Sequence, residues 1–369
     1  MTLFGLILLT PLFFFPIRDG FGTAKVAYMA ILATAAAYRL WRMDGVRIPH
    51  LWALAAFLGG LMLGMKNVIN WYEYLLQVGM DLAGMTFLLY AANVRVTGRQ
   101  VARVISGVAL AFSGFAFLLW MSKIPLYASR PGWSWESTMG NTGFAAGMIA
   151  AMFPVVAWLA WTEKKAWLWA TLALMVFHLD ATTSKTSVIS LIFAGFAAVT
   201  VTYFMAARFK ILRIGTAMVL LVLVTWGAAK GMSEMDVARP ESLQVRQVYW
   251  AGAVAMVKDF PMFGTGRGNF QTYFPPYGTG VGDDGLFFVD HAHNDYLEIL
   301  VEMGPVGLAG ILGLFVLSWI AALRARGWRF AMALGLMTIA INALTFFPLH
   351  TAGIATYFWV YAGLLGREA

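Results

Sequence analysis

Long apolar runs recur along this chain, at about 3–16, 22–41, 50–65, 70–92, 101–121, 142–161, 166–180, 186–207, 211–229, 305–323, 328–346 and 351–366. Several reach the roughly 20 residues that a helix needs to cross a hydrocarbon core. Lipid offers no partner to a free backbone N–H or C=O, so such runs fold as helices. The expected fold is an all-α polytopic membrane protein with about 12 transmembrane helices. Composition agrees: mean hydropathy is +0.73, and 12% of residues are charged against roughly 25% in soluble domains. The first run is broken by Pro11 and Pro16, and Met1 to Phe15 has neither a basic n-region nor a small-residue cleavage site. It reads as a retained first span, not a signal peptide.

Basic residues set the expected topology. With Met1 inside, the short inner loops hold fifteen: Arg39, Arg42, Arg47, Arg95, Arg99, Arg103, Lys164, Lys165, Arg208, Lys210, Arg213, Arg324, Arg326, Arg329 and Arg367. The short outer loops hold six: Arg18, Lys25, Lys66, Lys123, Arg130 and Lys185. Cytoplasmic loops carry such an excess, so both termini are expected inside and the segment from Lys230 to His293 outside. The net charge of +8 is then topogenic and does not point to nucleic acid. The chain has no cysteine, which excludes disulfides, thiolate metal sites and a thiol nucleophile.

The expected organisation is nine helices over residues 1–229, an outer loop over 230–304 and three helices over 305–369. Within the loop, Leu243 to Met256 suits an amphipathic helix that sets Arg246 and Trp250 one turn apart, close enough for the guanidinium to lie on the indole. Gly264, Gly266 and Gly268 follow at alternate positions. They lack the spacing of a dinucleotide or P-loop site and read as a turn that re-aims the chain.

The densest chemistry is His291-Ala292-His293-Asn294-Asp295-Tyr296-Leu297-Glu298, continuing to Glu302 and Gly304-Pro305-Val306-Gly307. His291, His293 and Asp295 offer metal donors at alternate positions, yet on a helix these diverge, and His178 and His350 are scattered in sequence. The preferred reading is a histidine general base, since imidazole titrates near neutrality. Glu298 and Glu302 stand one turn apart along the helix that follows. Gly304-Pro305 breaks that helix and starts the next span. Lys185, among Thr182, Thr183, Ser184, Thr186 and Ser187, either snorkels or holds an anion. Asp81 and His178 lie inside apolar runs, where ionisable groups tend to face the bundle interior.

His293-Asn294, nine residues, Gly304, two residues and Gly307 resemble the signature of the O-antigen ligase and polymerase superfamily of bacterial inner-membrane glycosyltransferases. The span number, the late outer loop, the Arg246-x-x-x-Trp250 element and the Pro261-to-Phe270 stretch are similar too. The resemblance implies a GT-C-like fold with a periplasmic catalytic loop. It implies a metal-independent, cofactor-free enzyme that moves a glycan from a polyprenyl (undecaprenyl) diphosphate to a glycan or lipid A-core acceptor. His293 then matches the histidine that activates the acceptor hydroxyl, and Arg246 the arginine near the donor diphosphate. Many members have Ser-Arg where this chain has Ser184-Lys185, so a point charge replaces a fork. A lipid diphosphate leaves well only if its developing charge is stabilised, and Lys185, Arg246 and Arg267 are the available cations. His291, Asn294, Glu298, Glu302 and Trp250 are expected to support the site, Glu298 and Glu302 either by binding sugar hydroxyls or by keeping their helix at the interface. Protein-directed relatives commonly have an extra C-terminal domain, and with the last residue at Ala369 the expectation is a glycan ligase or polymerase. The rival expectation is a transporter or flippase of lipid-linked glycans, with Asp81, His178 and Asp180 marking the path.

Overall fold

The structure, a computed structural model, describes residues 2–14, 22–122, 133–206, 240–278, 289–323 and 327–367. Among them, α1 is Thr2–Leu8, α2 Gly22–Trp41, α3 Leu51–Gly64, α4 Trp71–Asn93, α5 Gly98–Ser122, α6 Thr142–Glu163 and α7 Ala166–Ala181. There follow α8 Lys185–Ala206, α9 Pro240–Asp259, α10 Phe270–Tyr273, α11 Asp295–Leu323, α12 Trp328–Asn342 and α13 Ala352–Leu365. No strand occurs among the described residues. The helices α4, α5, α6 and α11 are long and apolar enough to cross a membrane, and α7, α8, α12 and α13 are shorter apolar helices. The expected span at 211–229 lies outside the described residues. The first apolar run does not form one helix: α1 ends at Leu8 and a 3-10 turn, Thr10–Leu12, carries Pro11.

Large apolar side chains face outward, Trp52 at 84% and Trp41 at 77% exposure, as a helix in lipid permits. In contrast, every residue of α13 is buried, and a helix that is apolar all round belongs at a bundle's centre. It packs on α4, while α12 packs on α6 and α8. The helices α3 and α11 pack backbone against backbone. A Cβ on Gly60 would lie 2.4 Å from Gly307 Cα, and one on Gly310 would lie 2.4 Å from Phe57 N. Small residues bring these two backbones together, as in membrane helix pairs generally.

The two ends of the bundle differ. At one end Arg103 meets Glu163 at 2.7 Å, Gly327 approaches Trp158, and Arg329 and Arg367 bond the carbonyls that close α13 and α4. At the other end lie Asn70 with Asn269, Ser187 with Asn342, and the start of α11. The histidine-rich stretch is at this second end.

Candidate active site

The site is built on a broken helix. Within α11, Gly304 takes φ 65 and ψ −173, and Pro305 follows. Proline has no N–H, so the carbonyl four residues before it loses its helical donor. That carbonyl, Val301 O, accepts instead from Thr265 N at 2.8 Å, and Glu302 O accepts from Gly266 N at 2.8 Å. The glycine stretch therefore docks onto the kink. Gly264, Gly266 and Gly268 all have positive φ, of 70, 92 and 75, a region that side chains other than glycine enter at a cost. Asn269 fastens the stretch to α4 by accepting from Asn70 N at 2.8 Å.

This docking drives Arg267 into the interior, 1% exposed. Its Nε donates to Asp81 Oδ2 at 2.8 Å and its Nη1 to Glu302 Oε2 at 2.9 Å. Burial opposes the charge, and the Asp81 and Glu302 carboxylates more than restore it, holding the guanidinium protonated. The sequence groups Arg267 with the diphosphate-binding cations, whereas the fold engages it with protein carboxylates. Asp81 thus gains a partner that its place in an apolar run required.

His350, in the 3-10 turn Pro348–His350, joins the same cluster. Its Nδ1 lies 2.6 Å from Asp295 Oδ1, and its Nε2 lies 3.2 Å from Glu298 Oε1 and 3.5 Å from Glu302 Oε2. Burial and the Arg267 charge act to lower its pKa, but the carboxylates of Glu298 and Asp295 prevail and raise it to about 10. Arg267 Nη1 also abuts His350 Nε2, a contact that by itself favours a neutral, accepting ring. Three carboxylates against one guanidinium outweigh it. The scattering of His350 in sequence is thus undone by the fold.

Glu298 and Glu302 are each 1% exposed, so neither reading from sequence, sugar-binding or interface-seeking, describes them. Glu298 accepts from His291 Nδ1 at 2.7 Å and from Ala292 N at 2.7 Å, while Glu302 also accepts from Phe270 N at 3.2 Å. Asn294 caps α11 by accepting from Leu297 N at 3.0 Å. His291, Glu298 and His350 each offer a ligand atom within 4.8 Å of the others, a donor set of metal-binding size. Their lone pairs and protons are already committed to one another, and the cation standing against His350 Nε2 is the Arg267 guanidinium.

His293 lies beside this cluster with a different environment. It has φ 52, a left-handed backbone that is uncommon outside glycine and gathers at functional sites. Its ring lies parallel to Tyr249, centroids 6.0 Å apart, and edge-on to Phe347 at 5.1 Å. Its Nδ1 is buried without a hydrogen-bond partner among the described residues. Burial first, then the nearby Arg246 charge, push its pKa down to about 4. Arg246 sits on α9, makes no hydrogen bond or ion pair among the described residues, and is itself lowered by burial. Among the described residues it forms no cation–ring contact with Trp250, whose buried Nε1 has no partner there either. The sequence placed the arginine correctly on a helix, but its charge falls on His293 and not on the indole.

Lys185 opens α8, half-buried, without a hydrogen bond or ion pair among the described residues. Its neighbours tie it to the site's wall: Thr186 Oγ1 meets Thr345 Oγ1 at 3.0 Å and Ser187 donates to Asn342 at 2.9 Å. Sequence reasoning missed the partnership of Asp81 and His350 with the motif. The only available signal was the cost of an ionisable side chain in an apolar run.

Residues 170–312 match the model of a family described as O-Antigen ligase. The match supports the O-antigen ligase and polymerase superfamily for this part of the chain. The O-antigen ligase match takes in Lys185, Arg246, the glycine stretch and the histidine motif, and leaves Asp81 and His350 outside. No curated protein matches the sequence. Members of the O-antigen ligase family are glycosyltransferase-like enzymes, and the long apolar helices of this chain are those of a polytopic membrane protein.

Proposed function

We propose that this site transfers an oligo- or polysaccharide from a polyprenyl (undecaprenyl) diphosphate to an acceptor hydroxyl, as an O-antigen ligase or polymerase does in surface polysaccharide assembly. The observation that carries the reading is His293 held in a left-handed backbone within the field of Arg246. A guanidinium without a partner among the described residues, at this end of the bundle, suits a lipid diphosphate, and the adjacent imidazoles suit an acceptor hydroxyl. The signature assigns the base to His293. Arg246 with Lys185 supplies the positive charge that leaving-group departure demands. Arg267 organises the carboxylates beneath. In-line attack opposite the diphosphate inverts the anomeric centre. The acceptor is a glycan or lipid A-core.

The site's end of the bundle is opposite the end carrying Arg103, Lys165, Arg329 and Arg367. By the positive-inside rule this supports a periplasm-facing site in the bacterial inner membrane. The metal-independent reading draws support from the Arg267 guanidinium, which already balances the buried carboxylates. Against a transporter or flippase, Asp81 is locked to Arg267, and His178 is engaged by Ser113 Oγ at 3.2 Å and Trp135 O at 2.9 Å.

The deciding experiment reconstitutes the purified protein with an undecaprenyl-diphosphate-linked oligosaccharide and a lipid A-core or glycan acceptor. His293→Ala and Arg246→Ala are each expected to lower transfer at least about 100-fold. Unchanged transfer in both sinks the reading, and a requirement for added divalent metal sinks its metal-independent part.

A further inference from the structure

Beside the ionic cluster, three phenyl rings gather around His293. Phe346 and Phe347 occupy the turn between α12 and the 3-10 turn Pro348–His350. That turn is tied down on two sides. Asp295 N donates to Ala343 O at 2.9 Å and to Phe346 O at 3.2 Å, Leu349 N donates to Asp295 Oδ2 at 2.7 Å, and Thr345 Oγ1 meets Thr186 Oγ1 at 3.0 Å. Phe144 comes from the first turn of α6, which Asn141 caps by accepting from Gly143 N at 2.7 Å and from Phe144 N at 3.3 Å. Phe144 and Phe346 have centroids 4.9 Å apart, Phe346 and Phe347 4.7 Å, and Phe144 and Phe347 5.3 Å. Gly143 leaves room for this packing, since a Cβ there would stand 3.0 Å from Phe346 Cζ. Phe347 is committed to the motif, stacked on His291 at 4.0 Å. Phe346 lies 6.2 Å from the His293 ring, with the other two phenyl rings behind it. All three are half-buried, and all lie outside residues 170–312, so the family match gives them no role.

Aromatic belts at a membrane surface are built of Trp and Tyr, whose polar edges meet the headgroups. Phenyl rings collected beside an imidazole do not fit that pattern and ask for an apolar partner within a polar site. A sugar ring supplies one. Hydroxyls project from the rim of a pyranose, while C–H bonds cover its flat faces, and the negative face of a phenyl ring attracts such C–H groups. The donor is held through its charged diphosphate and its lipid. The accepting sugar ring offers only hydroxyls and C–H faces. A base that takes the proton of an acceptor hydroxyl stands within about 3 Å of it, so the ring bearing that hydroxyl lies next to His293, where Phe346 also stands. Resting on the glycosyl-transfer reading above, we propose that Phe346, backed by Phe144 and Phe347, is the platform on which the accepting sugar lies by its C–H face, with the hydroxyl to be glycosylated turned to His293. The platform selects pyranoses with an uninterrupted C–H face over those that carry an axial hydroxyl there. The hydrogen bonds that tie down its turn hold the rings in place before the sugar arrives, which lowers the ordering cost of binding.

The test measures transfer from an undecaprenyl-diphosphate-linked oligosaccharide by the full-length reconstituted protein, with lipid A-core or the repeat-unit oligosaccharide titrated as acceptor. Phe346→Leu keeps the apolar bulk and removes the ring. It is expected to raise the acceptor KM about tenfold while kcat and the donor KM stay within about threefold, and Phe346→Tyr is expected to restore the acceptor KM. A purely structural role would instead lower kcat and the melting temperature and affect both substrates alike. The proposal is overturned if Phe346→Leu leaves the acceptor KM within about twofold of wild type, or if Phe346→Tyr does not restore it. A second measurement needs no turnover. In saturation-transfer NMR without donor, with the freed core oligosaccharide or repeat-unit oligosaccharide as probe, irradiating aromatic protons should enhance the C–H protons of one sugar face. The enhancement should vanish in Phe346→Leu. Equal enhancement in both proteins, or none in wild type, also overturns the proposal. Transfer unchanged in His293→Ala and Arg246→Ala would remove the glycosyl-transfer reading itself, whereas the NMR signal judges the platform separately, so the two failures are told apart.

Discussion

His350 is the residue on which the buried charges converge, and its protonation ties the protein's stability to pH. Its pKa is raised to about 10 from an ordinary value near 6.5. A raised histidine stabilises the fold fully below its unfolded pKa and loses that contribution as pH climbs through the folded one. Thermal stability in detergent should therefore decline from about pH 6.5 to pH 10, and His350→Gln should flatten the decline, as read by a unfolding scan at stepped pH. His293 acts in the opposite sense. Its pKa is lowered to about 4, so the unfolded chain binds its proton first and stability falls as pH drops from about 6.5 towards 4. His293→Gln should reduce that acid sensitivity. Arg267 belongs to the same scale: Arg267→Ala leaves Asp81 and Glu302 buried without their cation. Breaking one side of such a pairing costs about 3–5 kcal/mol. Arg267→Lys should restore only part of it, because a single ammonium cannot reproduce the fork.

At the scale of elements, the glycine stretch and the kinked helix are one unit. The kink in α11 frees two carbonyls, and the loop spends its backbone N–H groups on them. A Cβ on Gly264 would stand 2.4 Å from Glu302 C at φ 70, so Gly264→Ala meets both a clash and a strained backbone. The strain alone amounts to about 1–2 kcal/mol, and the collision adds to it. Gly264→Ala should lower both melting temperature and transfer, while Gly195→Ala, where an added Cβ meets nothing within 4 Å, should lower neither. The sequence revealed that this stretch was a turn and that Gly304-Pro305 would break a helix. It did not reveal that the turn and the break are complementary, because hydrogen bonds between positions 265 and 301 leave no local pattern.

Across the whole molecule, the site and the paired basic ends of the helices are at opposite poles of the bundle. The chain contains no cysteine, so single substitutions report sidedness without background. Lys258 and Lys164 are both exposed. Lys258→Cys should react with a membrane-impermeant maleimide in intact spheroplasts, and Lys164→Cys only after lysis; the reverse pattern would invert the proposed orientation. Hydropathy and charge alone determined that the chain is a bundle of apolar helices, where most of those helices begin and end, and which short stretch concentrates its chemistry. Those features are periodic or compositional and are written in neighbouring residues. Only the tertiary structure decided which charges meet. It carried Asp81 and His350 to Arg267, Glu298 and Glu302 across long separations in sequence, and it gave His291 a carboxylate while giving His293 none among the described residues. The physical reason is that a buried charge is tolerable only beside its opposite, and packing of distant helices determines where that opposite stands.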